Sequence, residues 1–163
     1  MIDVHVHAAP PRLPGVGALS PLLNQPPEAV AAVLREQMQS AGVTEALAMG
    51  SWRGTDDDPL GVAATLRLAG QVPGLHAVGV ADPTRTDADH LRRAEAALAA
   101  GRVRALKGYL GYLHYAPEHP NYAPYYRTSR SLPRAVHLPH RRHVFAVRQA
   151  EVRPSAPGRR RCG

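Results

Sequence analysis

The chain reads as an α/β fold: the N-terminal half of a (β/α)8 TIM-type barrel followed by an irregular, disordered tail. Three observations predict it. Short apolar strands alternate with amphipathic helical stretches from Ile2 to about Tyr126, the pattern of βαβ units on a parallel sheet. No glycine-rich phosphate loop follows any strand, which argues against a nucleotide-binding doubly wound sheet and for a closing barrel. Charge breaks sharply after Tyr126. Residues 1–126 carry ten basic and twelve acidic side chains, whereas 127–163 carry ten arginines, no lysine and Glu151 alone. The net charge of +7 therefore belongs to the tail.

The elements follow in order. Ile2 to Val6 predicts a strand with Ile2, Val4 and Val6 on one face and Asp3, His5 and His7 on the other, because side chains alternate across a strand. A Pro/Gly-rich loop runs through Pro26. Pro27 suits a helix start, Val30, Val33, Leu34 and Met38 form an apolar stripe, and Gly42 ends it. Val43 to Met49 is apolar enough for a buried strand. Asp58 caps a second helix with Pro59 in its first turn and Leu60, Ala63, Ala64 and Leu68 facing inward. Leu75 to Ala81 is a third strand. Thr86 caps a third helix with Leu91, Ala94 and Leu98, stopped by Gly101. Val103 to Tyr109 is a fourth strand, with Val103, Ala105, Lys107 and Tyr109 on one face, and a tyrosine-rich loop then enters a fourth helix.

Composition narrows the class further. A chain of 163 residues can bury a real core. Asp3, His5 and His7 interrupt the first apolar residues before a signal-peptide core could form, and no apolar run approaches a membrane span. Cys162 stands alone, so no internal disulfide framework is expected and a cytoplasmic setting is the default.

The chemistry lies in "IDVHVHA". Two imidazoles at i and i+2 on a strand project the same way, close enough to share one metal ion. The plainer alternative, one histidine bonded in the core and the other in solvent, loses ground because the pair ends the first strand of a β/α series. In a barrel that end opens on the face where active sites sit.

With "AVGVADP" on the third strand and "VRALKGYLGYLHYAPEHPNYAPYY" on and after the fourth, the segment from Ile2 to about Tyr126 resembles the amidohydrolase superfamily. The branch it is most similar to is the metal-dependent hydrolases related to aminocarboxymuconate-semialdehyde decarboxylase. The resemblance implies a divalent ion, usually zinc, that activates water for attack on an amide, ester or related bond of a small-molecule substrate. His5 and His7 match the family's first two ligands. Its further histidines on strands five and six, and its aspartate on strand eight, have no counterpart here, so no catalytic acid or base is assigned. Some members carry a carbamylated lysine on strand four. For Lys107, structural support or substrate contact is the preferred reading, since buried lysines are usually simply paired. His76, His90, His114 and His119 read as surface or loop residues, and Asp56, Asp57 and Asp58 as a solvated loop with one helix cap.

The tail fails as a continuation of the barrel, because Pro133 and Pro139 break any helical stripe. A nucleic-acid-binding arm lacks aromatic platforms beyond Phe145, which argues against nucleic acid as a partner. A metal site at His137, His140 and His143 lacks ligand spacing. Translation of a barrel gene in the wrong frame fits best. Permitted codons for Val136 to His143, read one nucleotide later, allow "FTCHTGD", a strand ending in the missing histidine. A half barrel should expose its first and fourth strands as edges, favouring pairing into homo-oligomers. Little or no hydrolase activity is expected of such a truncated chain. The rival from another class is a small non-enzymatic α/β domain whose basic arm binds nucleic acid or an acidic partner.

Overall fold

The computed structural model describes residues 1–13, 15–17, 19–110, 112–131, 135–140 and 143–148. Four parallel strands, β1 (Ile2–Val6), β2 (Glu45–Met49), β3 (Leu75–Val80) and β4 (Val103–Lys107), lie side by side in chain order. Helices α1 (Pro27–Ser40), α2 (Ala63–Ala69) and α3 (Ala88–Ala99) connect them, and α4 (Ala123–Ser131) follows β4. Among the described residues no helix is long and apolar enough to cross a membrane.

Every helix packs on the same face of the sheet. Val30, Ala31 and Leu34 of α1 and Leu68 of α2 meet Ala46, Ala48 and Leu75. Ala94 and Leu98 of α3 and Tyr125 of α4 meet Ala77 and Leu106. A doubly wound sheet reverses its strand order and carries helices on both faces; among the described residues β1 to β4 run in chain order and α1 to α4 share one face. Its opposite face carries Leu47, Met49, Val78 and Ala105. Above them, Val80 and Tyr109 pack with Leu13 and Trp52 from the loops after β1 and β2.

Local chemistry explains most boundaries. Gly42 and Gly101 take left-handed φ of 64° and 75° just past α1 and α3, as helix-ending glycines do. The cap of α3 is Asp87, one residue beyond the expected Thr86; its carboxylate accepts the His90 N–H at 2.8 Å. Asp58 does serve a helix start, accepting the N–H groups of Val62 and Ala63 at 2.8 Å each. The helix begins only at Ala63 because Gly61, at φ 65°, breaks the preceding turn. Ala63 is therefore exposed and Thr65 buried.

Two register shifts modify the expected faces. Between Ala77 and Val78 the pairing skips from Val103 to Ala105. Val103 thus packs on the helix side while Ala105 faces the other way, so the two do not share a face as expected. A second shift lies between Asp3 and Val6 of β1.

The tail departs most from expectation. Part of it is regular: β5 (Ala135–His140) and β6 (His143–Arg148) pair antiparallel, and β6 pairs antiparallel with β4, Lys107 opposite Phe145. The fourth strand is thus covered, not open, and 135–140 and 143–148 are regular strands, not irregular as expected. Pro139 is compatible with β5 because β5 is the sheet's last strand, where a missing backbone donor is tolerated. The expectation of disorder for 149–163 falls outside the described residues. Strand β1 keeps a free edge among them, blunted by its register shift and by Asp3, whose carboxylate accepts the His5 N–H at 3.0 Å.

Gly61 also couples two loops: its carbonyl accepts the Ser51 N–H at 2.8 Å. A Cβ there would lie 2.0 Å from the Ser51 carbonyl oxygen, whereas one at Gly42 meets nothing within 4 Å. Gly42→Ala should cost about 1–2 kcal/mol for the left-handed backbone alone, and Gly61→Ala clearly more. Urea unfolding of the two variants measures the difference; equal losses would contradict the close approach.

Candidate metal centre

His5 lies in the last turnout of β1 and His7 one residue beyond its end. Despite the register shift in this strand the two side chains emerge together. Their ring centroids are 5.0 Å apart, tilted by 49°, and the two Nε2 atoms are 3.1 Å apart. Two imidazole nitrogens each about 2.0–2.1 Å from one ion stand about this far from each other, so the pair fits adjacent positions on a single metal.

Lys107, the last residue of β4, completes the cluster from the far side of the parallel sheet. Its Nζ is 2.9 Å from His5 Nε2 and 4.4 Å from the centroid of the Tyr109 ring. The residue is only 1 % exposed. It is also the chain's sole lysine. Among the described residues no carboxylate pairs with it. Burial pulls its amine down to about 8, because a low-dielectric site disfavours the ammonium form. The one outward nitrogen of His5 thus faces two nitrogen neighbours, and a single lone pair serves only one at a time.

The surroundings are uneven: His5 is exposed and His7 half-buried, whereas Lys107, Tyr109 and Trp52 beside them are buried. The Tyr109 hydroxyl donates to the Gly50 carbonyl at 3.0 Å, and burial pushes its pKa up. The backbone N–H of buried Trp52 donates to the Pro11 carbonyl at 2.6 Å, and Ser51 Oγ donates to the Pro10 carbonyl at 2.7 Å. These bonds tie the loops after β1 and β2 together beside the histidines.

The other candidates lie elsewhere. His76 pairs with Glu45 at the opposite end of the strands. His114 is exposed, and His119 accepts the Asn121 N–H through Nδ1. Asp56 pairs with Arg85 at 2.7 Å and Arg93 at 3.3 Å, and Asp58 serves the helix start. Among the described residues no group of three or more His, Cys, Asp or Glu converges on one point. His90 corrects the expectation of a surface residue: it is 1 % exposed. Its spacing gave the signal, since 90, 94 and 98 form an i, i+4, i+8 stripe. Trp52 was missed, although a lone tryptophan just after a strand is a natural roof.

In comparisons with known proteins, the chain matches no family model, no curated protein and no solved structure.

The buried amine makes stability depend on pH in the metal-free protein. The folded state holds the amine near 8, while an unfolded lysine titrates near about 10.4. Between these values the unfolded chain binds more protons, so stability rises as pH climbs from about 8 toward 10. Lys107→Met should flatten that rise in urea-unfolding midpoints; an unchanged slope would contradict the burial of the amine.

Proposed function

We propose that the chain derives from a metal-dependent hydrolase of the amidohydrolase type, with its parallel strands forming the first half of a (β/α) barrel. In this reading His5 and His7 hold a divalent ion, zinc first. The observation that carries it is the 3.1 Å approach of the two Nε2 atoms at the end of the first strand. The in-order parallel sheet with helices on one face supports the barrel, because a (β/α) barrel is wound that way.

His5 and His7 would hold such an ion, which would supply a water of pKa about 7 as nucleophile toward an amide, ester or related bond of a small molecule. The chain's own residues bind and orient. Asp3 fixes the backbone of His5 through its carboxylate. Lys107 offers a buried donor beside the ligand pair, suited to a carbonyl or anionic oxygen of the substrate. The described residues provide two imidazoles, whereas tight zinc sites use three or four protein ligands, so weak binding and little turnover are expected.

The segment after Tyr126 is read as off-frame translation of the same gene. The antiparallel β6 beside β4, where a continuing barrel carries a parallel strand, supports this. Sequencing the locus tests it: a shifted frame without the His-Thr-Gly-Asp codons ends the idea.

Calorimetric titration of Zn2+ into metal-stripped protein tests the site. One weak site per chain is expected, and His5→Ala or His7→Ala should each weaken it at least about tenfold, as loss of even outer-shell partners does. Binding that survives the double substitution would overturn the assignment.

A further inference from the structure

A second polar cluster lies behind β4. The His90 ring in the first turn of α3 places Nε2 2.8 Å from the Tyr125 hydroxyl of α4. That hydroxyl donates to the carbonyls of the β3–α3 loop, Asp82 at 2.9 Å and Arg85 at 3.1 Å. A tyrosine has one proton, so with it directed at these carbonyls the oxygen accepts from His90. Nε2 therefore carries the hydrogen and Nδ1 is bare. Nδ1 is buried and has no hydrogen-bond partner among the described residues.

A proton on Nδ1 would create a buried charged donor with no acceptor, which costs far more than it returns. The charged neighbours do not offset this. Arg85 of the loop and Arg93 of α3 oppose an imidazolium, while Asp87, the cap of α3, and Asp82 of the loop favour it; α4 contributes the neutral Tyr125. Asp56, from the loop after β2, is engaged by both arginines. Burial is the largest influence and the ring is held below its ordinary pKa.

We propose that His90 and Tyr125 form an acid-released latch that holds α4 on the β3–α3 loop. A proton arriving at Nδ1 is accommodated only when the ring reaches water. That movement takes the donor from Tyr125 and loosens its grip on the Asp82 and Arg85 carbonyls. The bond from Asn121 Nδ2, in the turn that leads into α4, to the Pro83 carbonyl, 2.7 Å, ties the approach to α4 to the same loop. Tyr125 and Leu106, the residue before Lys107, belong to one buried apolar cluster, so the latch lies behind the strand that carries the buried amine. The latch does not depend on the metal reading.

The sign follows from linkage. The open form protonates near the ordinary histidine value of about 6.5 and the latched form lower. The latch is therefore at full strength above about 6.5 and weakens as pH falls, by at most about tenfold per pH unit for one proton. Hydrogen exchange of the full chain from pH 7.5 to 5, corrected for intrinsic rates, reads this out. Amides of residues 123–131 and 82–87 should lose protection below about 6.5 while β2 and β3 keep theirs, and His90→Gln should flatten the change. Constant protection of α4, a drop that persists in His90→Gln, or simultaneous loss across the whole sheet would each overturn the latch. Should His90→Gln fail to fold, nitrogen NMR of the wild-type ring decides. The neutral Nε2–H tautomer at pH 6.5 is expected, and a doubly protonated ring at that pH overturns it.

Discussion

The approach of Lys107 Nζ to His5 Nε2, 2.9 Å between residues 102 positions apart, constrains the rest of the molecule. Strands β1 and β4 stand three positions apart in the sheet, about 14 Å if it were flat. Side chains rise roughly perpendicular to a sheet, so their tips would remain apart on a flat one. The sheet therefore curls, and the face bearing Met49, Val78 and Ala105 is its concave side. The curl follows from placing all the helices on one side, where their bulk favours a convex surface. Small residues assist: Ala46, Ala48 and Ala77 on the helix side let α1 to α3 sit close.

The lower part of the concave face is apolar, with Met49, Val78 and Ala105 buried. The three nitrogens gather at the rim where the strands end, where His5 is exposed and Lys107 buried. Placing a lysine there without a carboxylate partner is unfavourable for the ammonium form. The fold responds by shifting the amine toward neutrality and by stacking it over Tyr109. A stability-driven sequence would place a leucine at such a position.

The elements whose signals are local were legible in the sequence. β1 matches its expected bounds, and α1 follows its apolar stripe between Pro27 and Gly42. His5 and His7 were readable as a pair because the i, i+2 rule survives a single irregularity nearby. The features that escaped depend on tertiary pairing. Val103 changes face because the β3–β4 pairing skips a residue, which no periodicity announces. His90 is buried because Tyr125, 35 residues later, offers it a hydroxyl. The β5–β6 hairpin was masked by arginines and prolines, although "HVFAVR" carries the β-branched and aromatic residues that suit a strand. That Lys107 would touch His5 required knowing how strongly the sheet bends.

The most direct test of this account uses the solitary lysine. With lysine labelled at its ε-carbon, the chain gives one side-chain signal, and nuclear Overhauser contacts from it report what the amine touches. Contacts from the Lys107 ε-methylene to the ring protons of both His5 and Tyr109 are the predicted result. A solvent-like signal with no contact to either ring would contradict the curled sheet and the nitrogen cluster built upon it.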